Sequence, residues 1–130
     1  MAVRLAIVVL ALAGAAWLAV EARSSSAQRE MIGLAFSRRT PTQQDLRRAE
    51  ALAPRARRLN PNAQVDESLG VLRLRTGDRA GAVATFRAIA RREPDNAEVW
   101  AALARAASGY DEALATRARA RLRALVPPVR

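Results

Sequence analysis

Apolar residues recur along most of the chain at spacings of three and four residues, which places them on one face of a helix. Six stretches carry this pattern: 27–38, 43–59, 63–75, 79–92, 97–107 and 111–126. No segment alternates apolar and polar residues at period two, which is the pattern of a half-buried strand. The sequence therefore predicts an all-α protein.

Residues that favour helix ends lie between the predicted helices. Gly77 is suited to the left-handed residue that ends a helix, and Asp78 is suited to cap the next one. Asp95, with Glu98 three residues later, resembles a capping box. Pro54 lies inside the second predicted helix and is expected to kink or split it, since proline lacks the N–H that the helix needs.

The N-terminal segment has the pattern of a membrane anchor. Residues 5–20 are uncharged, Arg4 precedes them, and Trp17 lies near their far end, where an interfacial aromatic residue belongs. A spanning helix needs roughly 20 apolar residues, with about 17 as the lower end. A cleaved secretory signal and a buried core helix are the alternatives. Residues 1–22 are therefore predicted to be an anchor or signal, residues 23–62 a linker with a first, degenerate hairpin, and residues 63–130 the helical repeats.

The orientation of this segment is open to two interpretations. Arg23, Arg29, Arg38 and Arg39 follow the apolar run, and counting cations alone favours a cytoplasmic C-terminal part. A short N-terminal segment that engages the secretion machinery usually leaves the downstream part outside. The second interpretation is preferred, so we expect a single-pass protein of the inner, cytoplasmic membrane whose C-terminal part lies outside the cytoplasm.

Composition excludes several kinds of chemistry. The chain has 22 cationic residues, all of them Arg, against 12 acidic residues, and it has no Lys, His or Cys. These absences exclude a thiol nucleophile, an imidazole base, a Cys/His zinc site and a Schiff-base lysine. The adjacent carboxylates Asp66/Glu67 and Asp111/Glu112 lie at helix starts, where they complement the helix dipole. We expect a non-catalytic protein without cofactor or metal.

Similar turns recur at a nearly fixed spacing, since Pro61, Pro94 and Pro128 follow one another at almost equal intervals. A period of about 34 residues, in which two helices are closed by proline, resembles the tetratricopeptide repeat (TPR) family. The residues at the family's signature offsets in the middle unit are Leu69, Gly70, Gly77, Ala82, Phe86 and Pro94. Those in the third unit are Trp100, Leu103, Ala104 and Pro128. The resemblance covers residues 63–128 well and residues 27–62 loosely.

The resemblance implies about three antiparallel helix hairpins in a right-handed superhelical stack. It also implies a peptide-binding groove lined by the first helix of each pair. Carried over residue by residue, the groove positions are Gln64, Glu67, Val71, Leu74, Arg75, Glu98, Ala101, Arg105 and Ser108. The groove lacks the Lys and Asn with which the family's known clamp holds a C-terminal carboxylate, so that ligand is not expected. Arg75 and Arg105 are instead expected to pair with an acidic segment.

These features favour a membrane-anchored, TPR-like interaction or scaffold module at a bacterial envelope membrane, with a protein or peptide partner. One alternative is a basic protein that binds anionic lipid or nucleic acid through the Arg-rich runs 55–58 and 117–123. No aromatic residues interleave with these runs, and no specific nucleic-acid reader is visible. Another alternative is an accessory repeat domain of an envelope polysaccharide or secretion machinery. Trp100 is expected to pack in the hairpin seam.

Overall fold

Six α-helices make up most of the part of the chain that the structure, a computed structural model, describes: residues 17–18, 22, 25–57 and 63–126. The first helix, α1, covers residues 25–36. It is followed by α2 (Gln43–Arg57), α3 (Gln64–Arg75), α4 (Arg79–Arg92), α5 (Ala97–Ala107) and α6 (Glu112–Leu125). The described residues contain no strand, which confirms the all-α prediction for them. The helix α2 continues through Pro54, so the proline does not split it.

Side-chain caps set the helix starts, as the sequence predicted in part. Asp78 Oδ1 accepts a hydrogen bond from the Gly81 N–H at 2.9 Å and caps α4, while Gly77 before it has a φ of 88°. The prediction for α5 was wrong by one residue, because Asn96 rather than Asp95 caps this helix. Asn96 Oδ1 accepts from the N–H groups of Glu98 and Val99 at 3.1 and 3.3 Å.

Each helix from α2 to α5 packs against the next one, α3 also contacts α5, and α1 shares a core cluster with α2 and α3. The pairs α3/α4 and α5/α6 form antiparallel hairpins, and α4 packs against α5 to join them. We refer to α1, α3 and α5 as the first helices and to α2, α4 and α6 as the second helices. This arrangement gives the stack two sides, one formed by the first helices and one by the second helices.

The core forms two contiguous clusters, because the outer helices bury an apolar stripe on one face while α3 is buried on more than one side. One cluster joins the stripes of α1, α2 and α3, around Met31 and Leu72. The other joins α4, α5 and α6, around Phe86 and Leu103. Val71 in α3 packs against both clusters, so α3 links the two halves of the stack.

Gly70 permits the close approach of α3 to α4. A Cβ atom on Gly70 would lie 2.7 Å from Cζ of Phe86, and 3.0 and 3.1 Å from the two Cε atoms of the same ring. Phe86 is buried, so its ring has little space into which it can move. The Gly–Phe pair predicted at the family's offsets is therefore a direct contact between the two helices of one hairpin.

Gly70→Ala should destabilise the protein even though alanine is the better helix former. Overpacking typically costs about 1–3 kcal/mol, while replacing glycine by alanine in a helix gains about 1 kcal/mol. We expect a net loss of up to about 2 kcal/mol in chemical denaturation. Gly33→Ala is the matched control, because no atom lies within 4 Å of a Cβ built there. The Gly70→Ala loss should shrink in a Phe86→Leu background, and an equal loss there would contradict the proposed clash.

The predicted anchor lies mainly outside the described residues, which include only 17, 18 and 22 of its positions 1–22. A search of the described residues for a helix long and apolar enough to cross a membrane finds none.

Candidate functional site

The predicted groove positions lie on the first helices, where α1, α3 and α5 run side by side. Gln28 Nε2 of α1 donates to Gln64 Oε1 of α3 at 2.7 Å across this surface. Val71 and Leu74 are partly buried against the core. Ala101 of α5 is also partly buried. The middle of this first-helix surface is therefore apolar and shallow.

The amino-terminal ends of α3 and α5 bring carboxylates together on the same surface. Burial raises the pKa of Glu67, and the nearby charges of Glu93 and Glu98 raise this pKa further. The raised pKa reflects a carboxylate surrounded by like charge in a half-buried place. In the structure as described, none of the three is in an ion pair with an arginine. One end of the surface is thus acidic, although the chain as a whole carries a net charge of +10.

Arg75 makes different contacts from those that the groove hypothesis needs. Its Nη1 donates to the Ala35 carbonyl at 2.5 Å, and its Nη2 donates to the carbonyls of Ser37 and Arg39 at 2.8 and 2.7 Å. These carbonyls lie at and just beyond the end of α1, where a helix leaves acceptors without partners. The expectation that Arg75 meets an acidic partner stays a prediction, and it now has to compete with the role of this guanidinium in holding the end of α1.

Arg105 and Ser108, at the other end of α5, differ from each other in their surroundings. Arg105 is exposed and makes no ion pair within the described residues. The Ser108 carbonyl accepts from Arg79, and Ser108 Oγ accepts from Arg119 Nη2 at 3.0 Å. Ser108 therefore takes part in contacts with the second helices, and Arg105 is the predicted cation that stays on the first-helix surface.

Several arginines of the two Arg-rich runs are held by carboxylates of the chain itself. Arg57 Nη2 lies 2.6 Å from Asp66 Oδ1, and Arg121 Nη2 lies 2.9 Å from Asp95 Oδ1. Arg92 Nη2 reaches the other oxygen of Asp66 at 2.5 Å. Burial acts to raise the pKa of Asp66, but the hydrogen bonds from Arg92 and Arg57 outweigh it and lower this pKa below its usual value. Arg57, Arg92 and Arg121 are therefore each engaged by a carboxylate of the same chain.

No constellation for metal binding occurs within residues 17–18, 22, 25–57 and 63–126, which contain no group of three or more possible ligands. Three of the four carboxylates noted at helix starts have structural partners. Asp66 binds two arginines, and Asp111 Oδ1 accepts from the Leu114 N–H at 2.9 Å and caps α6. Glu112 Oε1 accepts from the Gly109 N–H at 2.5 Å.

Sequence reasoning missed a cavity of about 400 Å³ between α4, α5 and α6. Trp100 lines it, together with apolar residues of all three helices and three arginines. Trp100 packs against the core as predicted, but its side chain is only partly buried. Its Nε1 donates to the Pro94 carbonyl at 2.8 Å. The repeat pattern placed Trp100 on the right helix but gave no indication that one side of its ring faces a cavity.

Stacked antiparallel helix pairs with a shared core define an α-helical repeat protein. Residues 63–106, about a third of the chain, match the profile of the tetratricopeptide repeat family. This match covers α3, α4 and nearly all of α5, so this part of the chain is a tetratricopeptide repeat segment and the predicted family is confirmed there. A search of curated proteins and a search of solved structures found no match to the chain.

Proposed function

We propose that the chain is a non-catalytic interaction module that holds a segment of a protein partner on its first-helix surface. The observation that supports it is the charge layout of this surface within a tetratricopeptide repeat segment. Glu67 and Glu98 lie at one end without arginine partners, and Arg105 lies at the other end without a carboxylate partner, among the residues that the structure describes. Repeats of this family typically bind proteins rather than catalyse reactions.

The partner segment that fits this surface carries charges of both signs. A basic side chain complements the half-buried Glu67 and the exposed Glu98 at the starts of α3 and α5, and an acidic side chain complements Arg105. Small or apolar residues between them match Val71 and Ala101 in the middle. The acidic partner expected from sequence alone relied on Arg75 as well, and Arg75 is occupied by the end of α1. We therefore propose one acidic contact, at Arg105, in place of two.

A photo-crosslinking amino acid at Ala101 tests this proposal in cells. We expect a specific crosslinked partner, and we expect Glu67→Arg/Glu98→Arg or Arg105→Glu to remove it. Arg47→Glu, at an exposed position of α2, is the matched control and should keep it. A crosslinker at the exposed Ala84 of α4 reports on partners that contact the molecule elsewhere. A crosslinked product that persists in both groove variants would contradict this use of the surface.

We also propose, from the sequence pattern alone, that residues 5–20 anchor the protein in a bacterial envelope membrane with the repeats outside the cytoplasm. The length and apolar character of the run support an anchor. The full-length protein should stay in the membrane pellet after alkaline carbonate extraction. A shortened chain in the soluble fraction would contradict the anchor and favour a cleaved signal.

Binding of anionic lipid or nucleic acid through the Arg-rich runs is the less supported function. Arg57, Arg119 and Arg121 are each within 4 Å of a carboxylate of the same chain. A steep loss of polyanion binding with increasing salt would favour this alternative.

A further inference from the structure

Two equivalent cavities lie on the second-helix side of the stack. Each is bounded by two consecutive second helices and by the first helix between them. The first lies between α2, α3 and α4, with a volume of about 320 Å³, and Leu69 and Asp66 line it. The second is the cavity of about 400 Å³ between α4, α5 and α6, lined by Leu103 and Trp100. Leu103 and Trp100 each follow their counterparts, Leu69 and Asp66, by one full period of the repeat. The two spaces are therefore the same place in successive repeats.

In the first space the chain supplies its own anion. The Asp66 carboxylate accepts from Arg57 Nε and Nη2 at 2.9 and 2.6 Å and from Arg92 Nη2 at 2.5 Å. Only 16% of the Asp66 side chain is exposed. A carboxylate of the chain is thus held between arginines of α2 and α4. It neutralises part of the positive charge that lines this space.

The lining of the second space contains no counterpart of Asp66 among the described residues. Trp100 stands where Asp66 stands in the first, and Arg91 follows Arg57 by the same repeat period. In the part of the chain that the structure describes, neither Arg91 nor Arg117 is paired with a carboxylate. Arg87, on the same rim, approaches Asp111 only at 3.8 Å. Three arginines therefore line a cavity whose counterpart one repeat earlier holds a carboxylate.

The floor of the second space is apolar and fixed in position. Trp100, Leu103 and Leu114 form most of it, and the hydrogen bond from Trp100 Nε1 to the Pro94 carbonyl orients the indole. An apolar wall strengthens the attraction between a guanidinium and an anion, because the local dielectric constant is lower than that of water. The cavity thus combines a contact surface for an apolar side chain with donors for a neighbouring carboxylate.

We propose that this cavity binds an acidic segment of a protein partner, with an apolar side chain on Trp100 and an adjacent carboxylate between Arg91 and Arg117. The carboxylate plays the part that Asp66 plays in the preceding repeat, but beside the Trp100 ring and not in its place. Guanidinium groups bind carboxylates in bidentate geometry, which suits an acidic side chain. This site lies on the second-helix side of the stack, so it is separate from the first-helix surface of the proposed function. Either proposal can fail while the other holds.

Fluorescence of Trp100 provides a direct test. The chain has two Trp residues, so the full-length protein with Trp17→Phe, in detergent solution, has Trp100 as its one indole reporter. The probe is a short peptide of leucine and glutamate with blocked ends, and its twin has glutamine in place of every glutamate. We expect saturable binding of the first peptide, and at least about tenfold weaker binding of the second, since each charged hydrogen bond contributes about 1.5–3 kcal/mol.

Charge variants locate the binding. Arg91→Glu/Arg117→Glu should weaken the acidic peptide by about 100-fold, and the milder Arg91→Gln/Arg117→Gln should weaken it by about tenfold or more. Arg38→Glu/Arg47→Glu makes the same change in net charge at exposed positions away from the cavity and should leave binding within about twofold. Helical circular dichroism verifies that each variant is folded.

Several results would overturn the proposal. Equal affinity for the two peptides would show that the carboxylate does not contribute to binding. An equal loss in the Arg38/Arg47 control would indicate general attraction to a basic protein. A loss in Arg105→Glu would place the peptide on the first-helix surface instead. Displacement of the peptide by millimolar inorganic phosphate or by phosphatidylglycerol vesicles would indicate that the arginines of the cavity bind a phosphate group and not a peptide carboxylate.

Discussion

Phe86→Ala is expected to lower the free energy of unfolding by about 3–5 kcal/mol. Phe86 is the largest of the fully buried side chains, with 1% of its surface exposed, and it contacts Gly70 across the α3/α4 hairpin. Truncation leaves a cavity that a glycine opposite cannot fill. A domain of this size has about 5–15 kcal/mol of stability in total. The variant should therefore lose much of its helical circular dichroism well below the melting temperature of the parent protein.

Phe36→Ala provides the control for this result. Phe36, at the end of α1, has 63% of its surface exposed, so the same truncation removes little buried area. We expect a change within about 0.5 kcal/mol, as for surface substitutions in general. Similar melting curves for Phe36→Ala and Phe86→Ala would contradict the packing of Phe86 against Gly70.

The helices and their buried stripes could be predicted because they depend on short-range spacing. Leu69, Leu103 and Phe86 are buried as their positions in the repeat predict. A pattern at three- and four-residue spacing records which face of a helix is apolar. It does not record how deeply that face is covered, which explains why the partial exposure of Trp100 was not predicted. The indole belongs to the apolar stripe of α5, but it lies at the margin of the core beside a cavity.

The contacts of the predicted site residues could not be predicted from the sequence, because they join residues far apart in the chain. Arg75 and Arg105 occupy similar places near the ends of first helices, and sequence alone treated them alike. The acceptors of Arg75 are backbone carbonyls 36 to 40 residues earlier, which carry no side-chain signal. Asp66 likewise reaches Arg92, 26 residues later. The repeat period could have related Asp66 to Trp100, but only the structure brings arginines around both positions.

The turn between α1 and α2 is fixed from two sides. Arg75 donates to the carbonyls of Ala35, Ser37 and Arg39. The Arg39 guanidinium binds Asp45 with two hydrogen bonds, of 3.0 and 2.7 Å. Hydrogen bonds from Arg39, and then from Thr42, hold the pKa of Asp45 well below its usual value. The two hydrogen bonds of the Arg39 pair are exposed, whereas two of the three from Arg75 are partly buried, so we expect Arg75 to be the stronger of the two constraints on this turn.

Arg75→Gln should therefore destabilise the protein by about 2–3 kcal/mol, because hydrogen bonds to charged groups contribute about 1.5–3 kcal/mol each and are not additive. Glutamine is too short and has too few donors to reach three carbonyls. The loss should be concentrated in α1, whose amides should exchange hydrogen faster than those of α4 and α5. Arg105→Gln is the matched control, since Arg105 is exposed and unpaired among the described residues, and it should change stability by less than about 0.5 kcal/mol. If Arg75→Gln melted like Arg105→Gln and left exchange in α1 unchanged, Arg75 would have no role in holding the first helix, and it would return as a candidate for partner binding.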